Sequence, residues 1–380
     1  MSSSSQQNHS GDGKGPSKAA GAYSLAEIIS QPECWSSCLA TLREARTLGK
    51  VCDKFGDAEE WLFIGCGSSY YAGLCAAASM AALTGLRARA VPASEILLYP
   101  NLVLASAENC VPVLISRSGQ TSEVLKAAEL LRSRSVPTLA ISCVEGQPLQ
   151  KLASHTITLP AADEKSTVMT RSFSSMLLAL QTLAAMLGKK SSHCDGLVRM
   201  PEMAAPALRT MPGRIRDFVG AHQFADYVCL GQGPFHGLAC EYALKVTEMS
   251  VSYAQAFHTL EFRHGPKSIV SPETLLIFLL SDQGSEAECD VLEEMKSLGG
   301  TTLVVTNHAN ERVRAVADMS VELAIDLPEL IRLAPSLVPG QLLGLYTGLK
   351  KRLDPDSPRH LSRAVILDDQ SPKKPEHAAF

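Results

Sequence analysis

Short apolar runs, each closed by a glycine or a hydroxyl residue, alternate along this chain with stretches whose apolar positions recur every three or four residues. "WLFIG", "VPVLI", "YVCLG", "LLIFLL" and "LVVT" are of the first kind; "VLKAAELLRS" and "VLEEMKSL" are of the second. Runs that short and that uniformly apolar, bounded by turn residues, predict strands buried on both faces, and the longer period predicts helices. Strands alternating with helices imply a parallel sheet covered on both sides, so the fold class is α/β.

The pattern occurs twice. "EEWLFIGCGSSYYAGLCAAASMAAL" has the same shape as "ADYVCLGQGPFHGLACEYALKVTEM": an apolar strand, Gly-x-Gly, then a small-residue helix. Gly65 aligns with Gly231, Ser116 with Ser281 and Ser142 with Thr306, at a near-constant offset. Two copies of a strand–helix–strand–helix–strand unit follow. The handedness of crossovers makes each a doubly wound parallel sheet in a three-layer αβα sandwich. The expected division is a disordered tail over 1–22, a leading helix plus first domain over 23–205, a second domain over 206–353, and a closing segment with a polar tail over 354–380. Ligands in such sheets sit at the carboxyl ends of the strands, where both Gly-x-Gly turns and the Ser-rich turns fall.

The two copies differ in chemistry there. The first reads Ser116-Arg117-Ser118-Gly119-Gln120-Thr121 ahead of a helix, with Ser68 and Ser69 after its glycines. The second reads Ser281-Asp282-Gln283-Gly284-Ser285-Glu286, with Pro234 and Phe235. Hydroxyls at a helix start serve as ordinary caps or, with the unpaired N–H groups and positive dipole end, hold an anion. Two carboxylates repel an anion at close range, so one anion site per chain is expected, in the first copy. In the second copy, Glu241, Lys245 and Glu248 fall at i, i+4 and i+7 on one helical face among apolar neighbours. That face reads as a salt-bridged surface or as an acid–base set. His264, before Gly265-Pro266, is a second candidate acid–base group.

Composition narrows the partners. The chain has 380 residues, 46% of them hydrophobic, enough for two cores, and a net charge of −4 that argues against a nucleic-acid footprint. No apolar run is long enough to span a bilayer, and the polar start lacks a hydrophobic signal region, so neither membrane nor export is expected and a cytoplasmic protein is. The 11 cysteines are scattered and odd in number, which predicts free buried thiols. "CWSSC" is the close pair, on one helix face, and reads as core. No cluster has metal-ligand spacing and no Walker-type lysine follows a glycine loop, so neither metal nor cofactor is expected.

Several ordered blocks, "LAEIISQPECW", "IGCGSSYYAG", "ISRSGQTSE", "LEFRHGPKSIV" and "DPDSPRHLSRAVIL", resemble those of the SIS (sugar isomerase) family over nearly all of the chain from Tyr23 to Leu367. They are similar to the isomerase half of the amino-sugar synthases and to AgaS-type sugar-phosphate isomerase/deaminases. The resemblance implies two tandem SIS subdomains and a phosphorylated sugar or amino sugar as substrate. It implies substrate contacts from Gly67, Ser69, Ser116, Arg117, Ser118, Thr121 and Thr170. It implies Glu248 as proton-transfer base, Lys245 near the C1 oxygen, Glu241 orienting the lysine, and His264 opening the ring from the neighbouring subunit of a homodimer. Arg363 stands where the synthases carry a lysine; it cannot form a Schiff base but can hold a phosphate or hydroxyl. Met169 stands where they carry a small hydroxyl residue, and the polar start "MSSSS" is not expected to supply their cysteine-nucleophile amidotransferase activity.

The expected reaction is ring opening and C1–C2 proton transfer without a metal, with ammonia release if the substrate bears a 2-amino group. Glucosamine-6-phosphate and galactosamine-6-phosphate are the expected substrates. Plain ketose/aldose isomerisation and deglycation of a fructosamine phosphate share the proton transfer; extra cations such as Arg171 or Arg263 in the pocket would favour deglycation. A non-catalytic sugar-phosphate sensor needs the anion cradle but not the acid–base set.

Overall fold

A computed structural model describes residues 19–104 and 109–367; of the expected tails, 1–18 and 368–380 lie outside the described residues, while within the expected 1–22 tail Gly21 N donates to Asp354 at 2.9 Å. Three helices lead in: α1 (Ala22–Ile29), α2 (Gln31–Glu44) and α3 (Thr47–Phe55). The single expected leading helix is therefore divided. Its break falls at Ser30, just before Pro32 in the first turn of α2, because a proline lacks the N–H that would continue α1.

The first repeat runs β1 (Glu60–Gly65), α4 (Ser68–Thr84), β2 (Arg87–Pro92), the short α5 (Ala93–Leu98) and α6 (Pro100–Val103), and β3 (Cys110–Ile115). It continues through α7 (Ser122–Ser133), β4 (Leu139–Ser142), α8 (Pro148–Leu152), β5 (His155–Thr158) and α9 (Arg171–Leu187). Helix α10 (Ser191–Ala221) links the halves and carries the expected division at 205/206 inside it. The second repeat runs β6 (Asp226–Gly231), α11 (Pro234–Ser250), β7 (Tyr253–Phe257), β8 (Thr274–Leu279) and α12 (Ser285–Ser297), then β9 (Thr301–Thr306), α13 (Glu311–Val316), β10 (Met319–Glu322) and α14 (Leu333–Lys350).

Each repeat builds a five-stranded sheet whose recorded strand pairings are all parallel. The orders are β2-β1-β3-β4-β5 and β10-β9-β8-β6-β7, the same arrangement read from opposite edges. All six residues of β1, of β3 and of β8 are buried, as their unbroken apolar runs require. The "CWSSC" cysteines, Cys34 and Cys38, are buried in α2 as free thiols. Among the described residues no helix is long and apolar enough to cross a membrane.

Two contacts set up the site. Helix α14 lies against α11 almost backbone to backbone. A Cβ on Gly344 would come 2.7 Å from the Lys245 carbonyl, and one on Gly348 would come 2.1 Å from that of Met249. The helix bearing the Glu-Lys-Glu face is thereby clamped on its other side. Near the C-terminus, Asp356 binds the first turn of α1, accepting from Tyr23 N (2.9 Å) and Ser24 N (2.6 Å). This tether sends the following segment across the mouth of the first repeat.

Candidate active site

A cavity of about 190 Å³ opens where the first repeat's strand ends meet α11. The glycine turn after β1 forms one wall. Gly67 adopts φ 53°, ψ −127°, and Gly233 in the second repeat adopts φ 54°, ψ −124°, a conformation essentially confined to glycine. Ser69, Ser118 and Thr121 line the cavity together with Gly67 and Arg117. Thr121 is the N-cap of α7, so its hydroxyl stands at the positive end of that helix. Ser116 does not line the cavity. It is buried and closes the turn, accepting from Gly119 N (3.2 Å) and lying 3.0 Å from the Thr121 hydroxyl. Its part is to hold Thr121.

Arg117 serves as a strut. One terminal nitrogen meets Glu164 at 3.3 Å; the other donates to the carbonyls of Thr167 and Arg363, each at 2.8 Å. Its Nε alone lacks a partner among the described residues. Glu164, which sequence reasoning missed, is fully enclosed and also accepts from Thr170 N (2.6 Å), Thr170 Oγ1 (2.7 Å) and Ser172 N (3.2 Å). Thr170 is accordingly fully buried with its hydroxyl engaged, and lies outside the cavity lining; the neighbouring 167–169 residues, Met169 included, face the cavity instead. A carboxylate inside "AADEKSTVM" carries no local signal of such a role, because its ionic partner, Arg117, lies 47 residues away and its other partners are the first groups of α9 and its cap.

The acid–base face is on α11. Lys245 is completely buried and sits between Glu241, at 3.3 Å, and Glu248, to which it donates a hydrogen bond. Burial works against the ammonium, but the two carboxylates outweigh it and hold the Lys245 pKa above its ordinary value. Burial pushes Glu241 up to about 7, with Lys245 opposing. Ser68 from the first repeat donates to Glu241 at 3.0 Å, tying the two halves together at this point. Glu248 lines the cavity; Lys245 and Glu241 stand behind it.

The C-terminal segment closes the far side through residues 361–365. Ser122 N, at the start of α7, donates to the Val365 carbonyl (3.1 Å), and Leu367 N donates to Ser122 Oγ (2.9 Å). Arg363 lines the cavity, with its guanidinium paired to Asp163. His264 is exposed, C-terminal to a short 3₁₀ turn, and does not line this chain's cavity. The two extra cations are elsewhere: Arg171 donates to the Asp163 carbonyl at 3.1 Å and Arg263 pairs with Glu294 at 2.6 Å. Among the described residues no group of three or more His, Cys, Asp or Glu could hold a metal ion.

The matching turn of the second repeat is already occupied by the protein's own carboxylate. Ser281 Oγ accepts from Gly284 N (2.9 Å), as Ser116 does from Gly119, but Ser281 N and Oγ both donate to Glu288 (2.7 and 3.0 Å). Asp282 pairs with Arg332 beside it. Strand register refines the alignment. Ser116 N donates to the Ile141 carbonyl and Leu280 N to that of Val305, so Leu280, not Ser281, occupies the Ser116 place in the sheet. The second turn starts one residue later.

Comparison with known proteins adds the following. The family model described as SIS domain matches residues 54–186 and 228–337. A glutamine–fructose-6-phosphate aminotransferase (isomerizing) of Methanothermobacter thermautotrophicus is 27% identical over 348 residues, covering 91% of this chain and 58% of the relative. This chain therefore spans little more than half the length of that relative. A crystal structure of a glucosamine-6-phosphate deaminase from Thermotoga maritima is 28% identical, with TM-score 0.73 over 91% of this chain and 100% of the other. The tagatose-6-phosphate ketose/aldose isomerase of Escherichia coli shares the fold, with TM-score 0.81 at 22% identity over 93% and 99% of the two chains.

Proposed function

Because the chain belongs to the SIS domain family, as an enzyme among sugar-phosphate isomerases and deaminases, we propose that it opens an amino-sugar phosphate and moves a proton between C1 and C2. The observation that carries this reading is Glu248, the one carboxylate lining the cavity among the described residues. It lies on a buried Lys245 and shares the cavity with a hydroxyl-rich helix start.

In this reading Ser69, Ser118 and Thr121 hold the phosphate with the α7 N-terminus and fix the sugar's register. Glu248 takes the C2 proton and returns it to C1. Lys245, standing behind Glu248, turns its ammonium from that carboxylate to the developing C1 oxyanion, and Glu241 aims the lysine. With a 2-amino sugar this transfer leaves an imine at C2, and water adds to it to give the ketose and release the nitrogen as ammonia. Arg363 closes the cavity over the sugar. His264, exposed on its turn, acts on the ring oxygen in the site of a second copy, so the working unit is a homodimer. The side chains named do this without a metal. Deglycation is disfavoured, because neither Arg171 nor Arg263 lines the cavity.

The test is ammonia release and ketose formation from glucosamine-6-phosphate and galactosamine-6-phosphate, with wild type beside Glu248→Gln. Ammonia from one epimer, lost in the variant, is the expected outcome and names the sugar. Ketose from a neutral aldose phosphate without ammonia would replace deamination by isomerisation. Tight binding without any turnover would make the protein a sensor.

A further inference from the structure

A second concavity, of about 460 Å³, lies between α2, α3, α9 and α10 and shares no lining residue with the candidate active site. Helix α9 meets it through Thr182 and Met186, while the N-cap of that helix, Thr170, contacts Glu164. The two ends are roughly 24 Å apart along the helix. The volume falls in the range of small-molecule sites.

Its walls are apolar. Leu39, Leu42 and Leu48 are buried, and Met186 and Val198 add large apolar side chains that remain 38% and 53% exposed. Gly49 also lines it, and a Cβ there would meet nothing within 4 Å, so the glycine leaves the space open. Two guanidiniums also line it, Arg43 and Arg46, and neither side chain has a hydrogen bond or ion pair with any described residue. Several of the chain's other arginines do pair: Arg89, Arg117, Arg263, Arg312, Arg332 and Arg363 all meet carboxylates. Arg46 moreover holds φ 50°, ψ 28°, a left-handed conformation that costs a non-glycine residue on the order of 1 kcal/mol. A position that only shaped the turn would favour glycine. An apolar trough with two unpaired, forked donors at its edge is complementary to a carboxylate carrying a hydrocarbon tail.

We propose that this groove binds an amphipathic monoanion, an alkyl carboxylate whose head meets Arg43 and Arg46 and whose chain lies along Leu39, Leu48 and Met186. The experiment is calorimetric titration of the full chain with decanoate below its micelle-forming concentration, against decylammonium as the opposite-charge probe. Wild type is expected to bind decanoate saturably, one per chain, and decylammonium at least tenfold more weakly. The surface double variant Arg43→Glu/Arg46→Glu is expected to reverse that preference, and Gly49→Leu to block both probes. Equal binding of the two heads, or none of either, would overturn the proposal. So would a Gly49→Leu protein that changes its sedimentation behaviour while wild type ignores decanoate, since the groove would then be an interface between copies. None of these readouts depends on the sugar-phosphate reading.

Discussion

The two repeats of this protein share a strand order and a glycine turn with nearly the same dihedral angles, yet only one of them leaves its helix-start turn open to a ligand. In the first, hydroxyls face a cavity at the start of α7. In the second, Glu288 turns back to take the Ser281 N–H and hydroxyl, while Asp282 and Arg332 pair beside it. An internal carboxylate has taken the place an external anion would need. The acid–base face is the reverse case: α11 of the second repeat carries Glu241, Lys245 and Glu248, and its first-repeat counterpart α4 carries no charged residue. Duplication supplied two equivalent frames. Division of labour put the anchor in one and the proton transfer in the other, and Ser68 to Glu241 joins them.

The most severe way to break this division is at the base. Glu248→Gln removes proton transfer and leaves the anchor, so kcat is expected to fall by about 10²–10⁴-fold with phosphosugar binding retained, as thermal shift would show. Next is to give the first turn the character of the second. Ser118→Asp with Thr121→Glu places two carboxylates at the anion cradle and should raise KM by about 100-fold or abolish binding, while the fold stays intact by circular dichroism. Retained affinity in that variant would move the phosphate elsewhere.

A smaller effect sharpens the second repeat's side. Burial pushes Glu288 up to about 7, against an ordinary value of 4.5. A group whose pKa is raised on folding contributes stability that is present below its unfolded value and lost as pH rises through the folded one. Wild-type melting temperature should therefore fall between pH 5 and 8, by a few kcal/mol of stability, with Glu241 contributing in the same direction. Glu288→Gln should flatten part of that slope, and an unchanged slope would show that Glu288 does not titrate there. Smallest of all, Arg363→Lys should leave the melting temperature within about 1 °C of wild type. Its pair with Asp163 is exposed, and such pairs contribute about 0–1 kcal/mol.

Much of the architecture was written in local pattern. Short unbroken apolar runs ended by glycine or a hydroxyl residue read as strands covered on both faces, and their repetition implied the two sheets before any contact was known. Gly67, Ser69, Ser118, Thr121 and Glu248, singled out by type and position, do meet in one cavity. Ser116 and Thr170 carry the same hydroxyls but are turned inward, because a turn and a buried carboxylate each claimed one first. No spacing rule distinguishes a hydroxyl that faces solvent from one that closes a backbone turn.

The amino-acid sequence by itself determined the strand–helix alternation, the duplication, and the concentration of hydroxyls in one copy and of charge in the other. These follow from backbone sterics and side-chain period, which act within a dozen residues. Only the tertiary structure decided that Arg117 is a strut, that Glu164 organises the wall around it, and that Lys245 is wholly enclosed. It also settled that glycines on α14 press that helix onto α11, and that the C-terminal segment caps α7. Each of these depends on groups scores to hundreds of residues apart, and their energies arise from desolvation and pairing that exist only once the core has excluded water.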